Sequence, residues 1–279
     1  MLKYAVAFDS LNFSHAAMQY ATSISKQCHA FLTGVFLDDH AHASFHIYDL
    51  IGADGTEERK IRQLRAHDRL VRQDASLLFK NTCIEAGVDY ISHHDEHNAL
   101  QDLLNESVFS DLLILDRRET FSQHNEKLPS RFIRDVLSNT SCPVLLISSD
   151  YKEIEKIIII YDGEPSSVYA LKMFHYVLQG IKPKQTAIWS IKNVESDKHL
   201  PFQKRIKELI TKHSGHVSFV VEKGIAEDII PKKLKEEKDN TLIVLGAYRR
   251  SMLSRRFRSS MADILMHELD LPLFIAHPK

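Results

Sequence analysis

The chain has 279 residues, of which 36 are lysine or arginine and 37 are aspartate or glutamate. This balance excludes a globally basic nucleic-acid binder and an acidic tail protein, whereas the 44% of hydrophobic residues is enough for packed cores. The three well separated cysteines, Cys28, Cys83 and Cys142, form no CxxC pair and indicate a reducing compartment, so we expect a cytoplasmic protein.

Short apolar runs alternate with longer amphipathic stretches, a pattern typical of βαβ units and a parallel sheet. The first run reaches Asp9 so early that no signal peptide is expected, and no apolar run is long enough to cross a bilayer. In chain order the pattern predicts strands at Tyr4–Phe8, Phe31–Leu37, Val88–Ser92, Leu112–Leu115 and Val144–Ile147. It predicts helices at Ser14–Lys26, Thr56–Glu85, Ala99–Val108 and Ser130–Leu137. Gly87 is expected to cap the long second helix at its C-terminus.

After a junction near Ser149–Glu155 the same order of elements starts again. A strand ends at Asp162 as the first strand ends at Asp9, and the last strand of each copy has a proline near its start, Pro143 or Pro272. Two copies of one α/β unit explain the length better than one large domain. We therefore predict two domains, at residues 1–149 and 155–279.

The first copy is the longer one. Asp162 follows Asp9 by 153 positions, whereas Leu242 follows the matching Leu112 by only 130, so about 23 additional residues lie between its first and fourth strands. The segment at about 38–60 is the natural place for them, and we expect it to form a partly mobile lobe without a counterpart in the second copy.

In an open parallel sheet, ligands bind beyond the carboxyl ends of the strands, where the strand order reverses. In the second copy these ends are Asp162-Gly163 and Gly246, and a loop with five arginines follows Gly246. Ser260 stands three residues before Asp263, a capping-box arrangement at the start of a helix whose N-terminus offers N–H groups to an anion. The loop is either a solvated surface segment or an anion site.

These features resemble the universal stress proteins, twice over nearly the whole chain. The resemblance rests on the strands that end at Asp9 and Asp162, the fourth strand with its loop (LIVLGAYRRSMLSRRFRSS), and the proline-bearing last strands (CPVLLI and LPLFIA). It implies α/β architecture with two tandem, open, parallel five-stranded sheets that carry helices on both faces, the adenine nucleotide alpha hydrolase-like fold. It also implies that the halves pair within the chain through their fifth strands, Val144–Ile147 and Leu273–Ala276, as a pseudo-dimer. A further homodimer is left open.

Members of this family often bind ATP or AMP through the motif Gly-x2-Gly-x9-Gly-Ser/Thr. In the second copy Gly246 matches the first glycine, Arg249 and Ser259 replace the other two, and Ser260 supplies the hydroxyl. The resemblance adds three residues to this cofactor site: Asp162, Gly163 and Ile191. In this reading, Arg249 either obstructs the approach of phosphate or replaces lost N–H contacts with a charge.

In the first copy Asp116 and Glu119 stand at the first two glycine positions, and we place Ser130-Arg131 where Gly-Ser/Thr would be, in a compressed or shifted loop. Two carboxylates repel a phosphate, so no triphosphate site is expected there. Asp9 and Asp162 each have an alternative role, because an aspartate at a strand end can cap the next helix or shape the turn. For Asp9 we favour the cap.

No metal site is expected, although His40, His42 and His46 cluster in the insertion and His93, His94 and His97 follow the third strand. No cysteine is close to either cluster, and 16 histidines in one chain make chance clusters common. No G-x-S-x-G elbow, HExxH or Walker loop is present, and nothing indicates a nucleophile.

The sequence therefore favours a stress-response binding module without enzymatic activity and with weak ATP or AMP binding in the second copy. The first alternative is a degenerate member that binds no nucleotide and acts as a scaffold or adaptor. Slow nucleotide hydrolysis ranks lower because no general base beyond Asp162 is in position. Neither a membrane nor a nucleic acid is expected as a partner.

Overall fold

A computed structural model describes the chain except for residues 38–50, 53–54, 57, 96–97, 122–125, 193–198, 212–216, 239, 247–259 and 279. We call residues 1–149 half one and residues 155–279 half two. The elements of half one are β1 (Lys3–Phe8), α1 (His15–Cys28), β2 (Phe31–Leu37), β3 (Ile51–Gly52), β4 (Gly55–Thr56), α2 (Glu58–Ala86), β5 (Tyr90–Asp95), α3 (Ala99–Val108), β6 (Leu112–Asp116), α4 (Arg131–Asn139) and β7 (Val144–Ile147). Those of half two are β8 (Lys156–Ile160), α5 (Pro165–Val177), β9 (Gln185–Lys192), α6 (Gln203–Thr211), β10 (Val217–Lys223), α7 (Ala226–Leu234), β11 (Thr241–Leu245), α8 (Met261–Glu268) and β12 (Leu273–Ile275).

Ten of the described strands form one sheet in the order β10-β9-β8-β11-β12-β7-β6-β1-β2-β5. Within each half the five strands are parallel and follow the same order, so the α/β architecture with open, parallel, five-stranded sheets is confirmed. The halves join where β7 and β12 pair antiparallel, with Leu145 opposite Phe274. These are the fifth strands that the sequence analysis expected to meet.

The central strands are nearly continuous apolar runs because both of their faces are covered by helices. Two hydrophobic cores result, one on each face of the sheet, and both contain residues from both halves. Phe36 and Phe274 belong to one core, whereas Leu113 and Ile243 belong to the other. Burial is therefore continuous across the junction, which ties the halves into one folded body.

The connector between the halves is held against α1. The hydroxyls of Tyr20 and Ser148 lie 2.9 Å apart, and the hydroxyl of Tyr151 donates to Ser23, also at 2.9 Å. On the same side of the sheet, the hydroxyl of Tyr4 donates to the carbonyl of Val177, at the end of α5. Polar contacts thus supplement the apolar cores at the junction.

The two halves differ most between their second and third strands. Much of the additional length of half one lies in α2, which has 29 residues against 9 in α6. The bounds of α2 confirm the helix predicted at Thr56–Glu85 to within two residues. Gly87 follows it with a positive φ of 67°. Within the predicted insertion, β3 and β4 form a small hairpin, and residues 38–50 lie outside the described part.

Among the described residues, no helix combines the length and apolar character that a membrane span requires.

Candidate functional site

The strand order of half two reverses between β8 and β11, which are adjacent and parallel, with Ile159 opposite Val244. Asp162 and Gly163 follow β8, and Gly246 follows β11, so the structure brings them to one edge of the sheet. Ile191 lies near the end of the neighbouring β9. Ser260 begins α8, whereas Arg249 and Ser259 lie outside the described residues.

Asp162 is exposed, and its carboxylate accepts a hydrogen bond from the backbone N–H of Glu164 at 2.9 Å. This contact shapes the turn that leads into α5, where Pro165 occupies the first helical position. The turn uses only Oδ1, so the second oxygen of an exposed carboxylate is available to a ligand. Asp162 therefore combines a turn-forming role with an accessible acceptor.

Gly163 has a φ of 88°, a left-handed conformation that favours glycine. A methyl group in its place would lie 2.5 Å from Cβ of Pro201, so the segment around Pro201 packs closely over this turn. The hydroxyl of Tyr161 donates to the carbonyl of Pro201 at 3.0 Å and holds that segment in position.

Gly246 permits a close approach between two backbones. A methyl group there would lie 2.4 Å from the carbonyl oxygen of Ser166, in the first turn of α5. The glycine that matches the nucleotide motif thus has a packing role of its own, independent of any ligand.

Ser260 is the N-cap of α8, and the predicted capping box is present, with the backbone N–H of Ser260 donating to Asp263 at 3.2 Å. The positive end of the helix dipole lies at this N-terminus. In a parallel α/β sheet the helix after a strand begins near the carboxyl end of that strand, so the N-terminus of α8 belongs to the same edge as Gly246.

The corresponding edge of half one is filled by its own carboxylates. Asp9 is buried and accepts a hydrogen bond from the N–H of Leu11 at 2.9 Å, so it shapes the turn after β1. The helix-cap role that we favoured for it was wrong, because Ser14 is the N-cap of α1. Asp116 is also buried, and its Oδ2 accepts from the hydroxyl of Ser14 at 2.7 Å and from the guanidinium of Arg118 at 2.9 Å.

The carboxyl group of Glu119 has a pKa far from its ordinary value. Its side chain is buried and accepts hydrogen bonds from the N–H groups of Thr120 and Phe121, both at 3.0 Å. Burial, and secondarily the charge of Asp9, raises the pKa of Glu119 to about 7 despite these bonds. The carboxylates at this edge thus lie near one another and are bound by donors of half one itself.

One part of the motif alignment in half one was wrong. We expected a compressed loop with Ser130-Arg131 at the Gly-Ser/Thr positions, but Ser130 is the N-cap of α4 just as Ser260 is the N-cap of α8. Ser130 therefore occupies the hydroxyl position itself, and Pro129 stands at the third glycine. The Ser130 hydroxyl donates to the carbonyl of Glu119 at 2.5 Å, so it is already engaged.

Sequence reasoning overlooked Arg117, which is buried at the end of β6 and reaches across the junction to α8. A comparison of the copies contains a signal for it, because Arg117 follows Asp116 whereas an alanine, Ala247, follows Gly246. When a charged residue in one copy aligns with a small residue in the other, the two halves can make different contacts at that position.

Among the described residues, no group of three or more histidine, cysteine, aspartate or glutamate side chains is arranged to hold a metal ion. The histidines of the insertion, His40, His42 and His46, lie outside the described part, as does His97. The ring of His93 contacts Glu106 at 3.0 Å, and the ring of His94 stacks on Phe36 with centroids 4.9 Å apart.

Neither a family model nor a curated protein sequence matches the chain. Solved structures do match it. A universal stress protein from Archaeoglobus fulgidus aligns with a TM-score of 0.70 at 12% identity, over 99% of this chain and 98% of that chain. The fold is that of the universal stress proteins.

Two further structures, both from Pseudomonas aeruginosa, are similar over nearly the full length. One is a protein of unknown function, with a TM-score of 0.60 at 14% identity over 99% of this chain and 92% of that chain. The other is assigned provisionally to the universal stress proteins and has a TM-score of 0.56 at 14% identity, over 98% of this chain and 92% of that chain. These TM-scores establish a common fold, and at such low identities the likeness extends no further than the fold.

Proposed function

We propose that this protein is a binding module of the universal-stress type, built from two such domains at residues 1–149 and 155–279. In this proposal the domains form a pseudo-dimer through β7 and β12, and one adenine nucleotide, ATP or AMP, binds at the edge of half two. The observation that carries the proposal is the contrast between the edges. In half one the edge holds Asp116 and Glu119, whereas in half two Gly246 follows the corresponding strand β11.

Within this site Asp162 would contact the adenine ring, as the family resemblance implies. Gly246 and Ser260 would lie near the phosphates, with the N-terminus of α8 supplying N–H groups and a favourable dipole. The sequence adds Arg249 and Ser259 from the loop between them. The other four arginines of this loop carry guanidinium forks suited to phosphate oxygens, whereas Arg249 stands at a glycine position and is expected to obstruct the approach.

A scaffold or adaptor without nucleotide is the second candidate, and a specific observation favours it. The motif residues in half two have structural partners of their own: Gly246 packs on Ser166, and Gly163 is covered by Pro201. Residues retained for packing do not require a ligand. Binding measurements must therefore separate the two functions.

The deciding experiment is calorimetric titration of the full chain with ATP and with AMP, after denaturation of a separate sample to detect any co-purified adenine compound. The first proposal expects saturable binding with one nucleotide per chain. Ser260→Ala should weaken it about fivefold or more, the effect of losing roughly 1 kcal/mol in a hydrogen bond. Ser130→Ala is the matched control and should leave the affinity unchanged. Absence of binding by the wild-type chain would favour the scaffold.

The Arg249→Gly variant tests the role of the arginine loop. We expect tighter ATP binding, because glycine restores the backbone approach to phosphate that the family motif provides. If Arg249 is instead a substitute ligand, the same variant should lose roughly 1.5–3 kcal/mol of binding energy, the scale of a charge-assisted hydrogen bond. Titrations of both proteins at matched salt distinguish the two outcomes.

A further inference from the structure

Arg117 of half one is inserted into half two. Its side chain is 4% exposed, and its two terminal nitrogens donate to the backbone carbonyls of Met266 and Leu269. One of them also lies 3.4 Å from the carboxylate of Asp270. These oxygens surround the C-terminal end of α8, where helix carbonyls lack partners within the helix.

The contact joins a cation to the negative end of a helix dipole, although burial lowers the pKa of Arg117 and its Nε has no hydrogen-bond partner among the described residues. A cation is favourable at a helix C-terminus, because the dipole there is negative and the last carbonyls need donors. Burial of a guanidinium is costly, so the oxygens around Arg117 must compensate for the water it has lost. Asp270 is held in turn by the backbone N–H of Ser149, at 3.1 Å, on the half-one side of the junction.

The matching position of half two cannot make the same side-chain contact. The residue of half two that corresponds to Arg117 is Ala247, which has no side-chain donor. The counterpart of α8 in half one is α4. Near its C-terminal end the helix carbonyls are bound by side chains of the helix itself: Ser138 donates to the backbone carbonyl of Arg134, and Asn139 to that of Asp135. Half one therefore supports half two without an equivalent return contact from the position of Ala247.

Helix α8 connects this contact to the candidate site. It has eight residues, so its ends are about 12 Å apart. Its buried residues Ala262, Leu265 and Met266 pack it against the core. Its C-terminal end is also held by Arg117, and Lys235 donates to Glu268 there at 2.8 Å. A short, packed helix moves as a rigid body. A contact from Arg117 that holds the C-terminus of α8 therefore also holds the position of Ser260 at its N-terminus.

We infer that Arg117 is a positioning residue for the ligand site of half two. It holds the C-terminus of α8, and thereby places the N-terminus, with Ser260, where its N–H groups can reach a phosphate. This inference rests on the proposed nucleotide binding. In this arrangement half one binds no nucleotide and serves as the fixed support of the single site.

The test uses the full chain with Arg117→Met, which removes the donors and keeps the apolar stem, and Arg117→Lys, which keeps the charge. Arg118→Met is the control, because the neighbouring Arg118 contacts Asp116 and makes no contact with α8 among the described hydrogen bonds. Amide hydrogen exchange across residues 261–268 is measured without ligand. ATP affinity is then measured by calorimetry well below the melting temperature of each variant.

We expect Arg117→Met to speed exchange in α8 at least tenfold while β8 and β11 keep their protection, and to raise the Kd for ATP at least tenfold. Arg117→Lys should lie between this variant and the wild type. Arg118→Met should match the wild type in α8 protection and ATP affinity, although the loss of its bonds to Asp116 lowers the overall stability. A uniform loss of protection across the sheet would overturn the inference, since it would indicate a general stability role. Unchanged exchange in α8, or faster exchange with unchanged ATP affinity, would also overturn it.

The two proposals can fail separately. If the wild-type chain binds neither ATP nor AMP, the proposed function is wrong, and the anchoring of α8 by Arg117 is judged from hydrogen exchange alone. If Arg117→Met does not fold, Arg117→Lys decides the matter, because partial loss of protection confined to α8 is expected for it as well.

Discussion

The hydroxyl of Ser14 donates a hydrogen bond to the carboxylate of Asp116 at 2.7 Å, although 102 positions separate the two residues. The same hydroxyl accepts from the N–H of Ala17 at 3.2 Å and so caps α1. One hydroxyl thus joins the start of α1 to the end of β6. The contact closes the edge of half one at the place where half two has a glycine.

Asp116→Asn should destabilise the protein by roughly 1–3 kcal/mol at pH 7. Burial opposes ionisation of Asp116, but hydrogen bonds from Arg118 and Ser14 outweigh it, so its pKa lies below the usual value. A lowered folded pKa stabilises the protein above the unfolded pKa, and this stabilisation is lost as the pH falls through the folded pKa. Urea unfolding at pH 7 and at pH 3 should give a smaller difference between the two proteins in acid. An equal difference at both pH values would contradict this assignment.

Glu119→Gln should have the opposite pH dependence. Because burial raises the pKa of Glu119 to about 7 from an ordinary 4.5, the folded state holds the proton more tightly than the unfolded chain does. The wild type should therefore lose roughly 3 kcal/mol of stability as the pH rises from about 4.5 through 7, and the glutamine variant should not. Urea unfolding at pH 4.5, 6 and 8 measures this. The exposed Glu85→Gln on α2 is the control, and a flat difference between wild type and Glu119→Gln would refute the prediction.

Gly246→Ala should cost about 1–3 kcal/mol of stability whether or not a nucleotide binds. The new methyl group would lie 2.4 Å from the carbonyl oxygen of Ser166, so the backbone of α5 must move. Gly87→Ala is a useful comparison, because no atom lies within 4 Å of its methyl position and only the positive φ opposes the change. Thermal unfolding should rank Gly246→Ala as the more destabilised variant. Unchanged stability with lost nucleotide binding would instead assign Gly246 to the ligand alone.

Gly180→Ala should weaken the junction between the halves. A methyl group at Gly180 would lie 2.0 Å from the carbonyl oxygen of Gln27, near the end of α1. The end of α1 and the segment after α5 must separate to admit it, which disturbs a core shared by both halves. Calorimetry should show a melting temperature several degrees lower, the shift expected for about 1–2 kcal/mol in a chain of this size. An unchanged melting temperature would mean that Gly180 and the backbone of Gln27 are not in tight contact.

The fold could be predicted because its signals are local. Buried parallel strands give continuous apolar runs such as Val144–Ile147, and the repeat of an Asp-terminated strand at Asp9 and Asp162 identified the two copies. The capping box at Ser260 and Asp263 needed only the spacing between two residues. The pairing of β7 with β12 followed from the family resemblance and not from the residues themselves.

The contacts across the halves could not be predicted in this way. Arg117 is one of 36 basic residues, and its role depends on where α8 ends in space, which no local pattern encodes. The acidic pair Asp116 and Glu119 was recognised as hostile to phosphate, but its burial was not foreseen. Partners such as Ser14 and Arg118 are set by the packing of α1 against β6. The alignment of Ser130, by contrast, needed only the spacing of the motif: nine residues separate Glu119 from Pro129, so Pro129 and Ser130 stand at the Gly-Ser/Thr positions and the expected compression was a misalignment.

The antiparallel pairing of β7 and β12 also bears on how such a chain can evolve. Since these strands run in opposite directions, the carboxyl ends of the strands in half one and half two lie on opposite sides of the molecule. Strands of about five residues separate the two sides by roughly 17 Å. A side chain that occupies one edge, such as that of Asp116, is therefore too far away to contact a ligand at the other edge. After a duplication, one copy can lose its ligand and become a structural support while selection maintains binding in its twin.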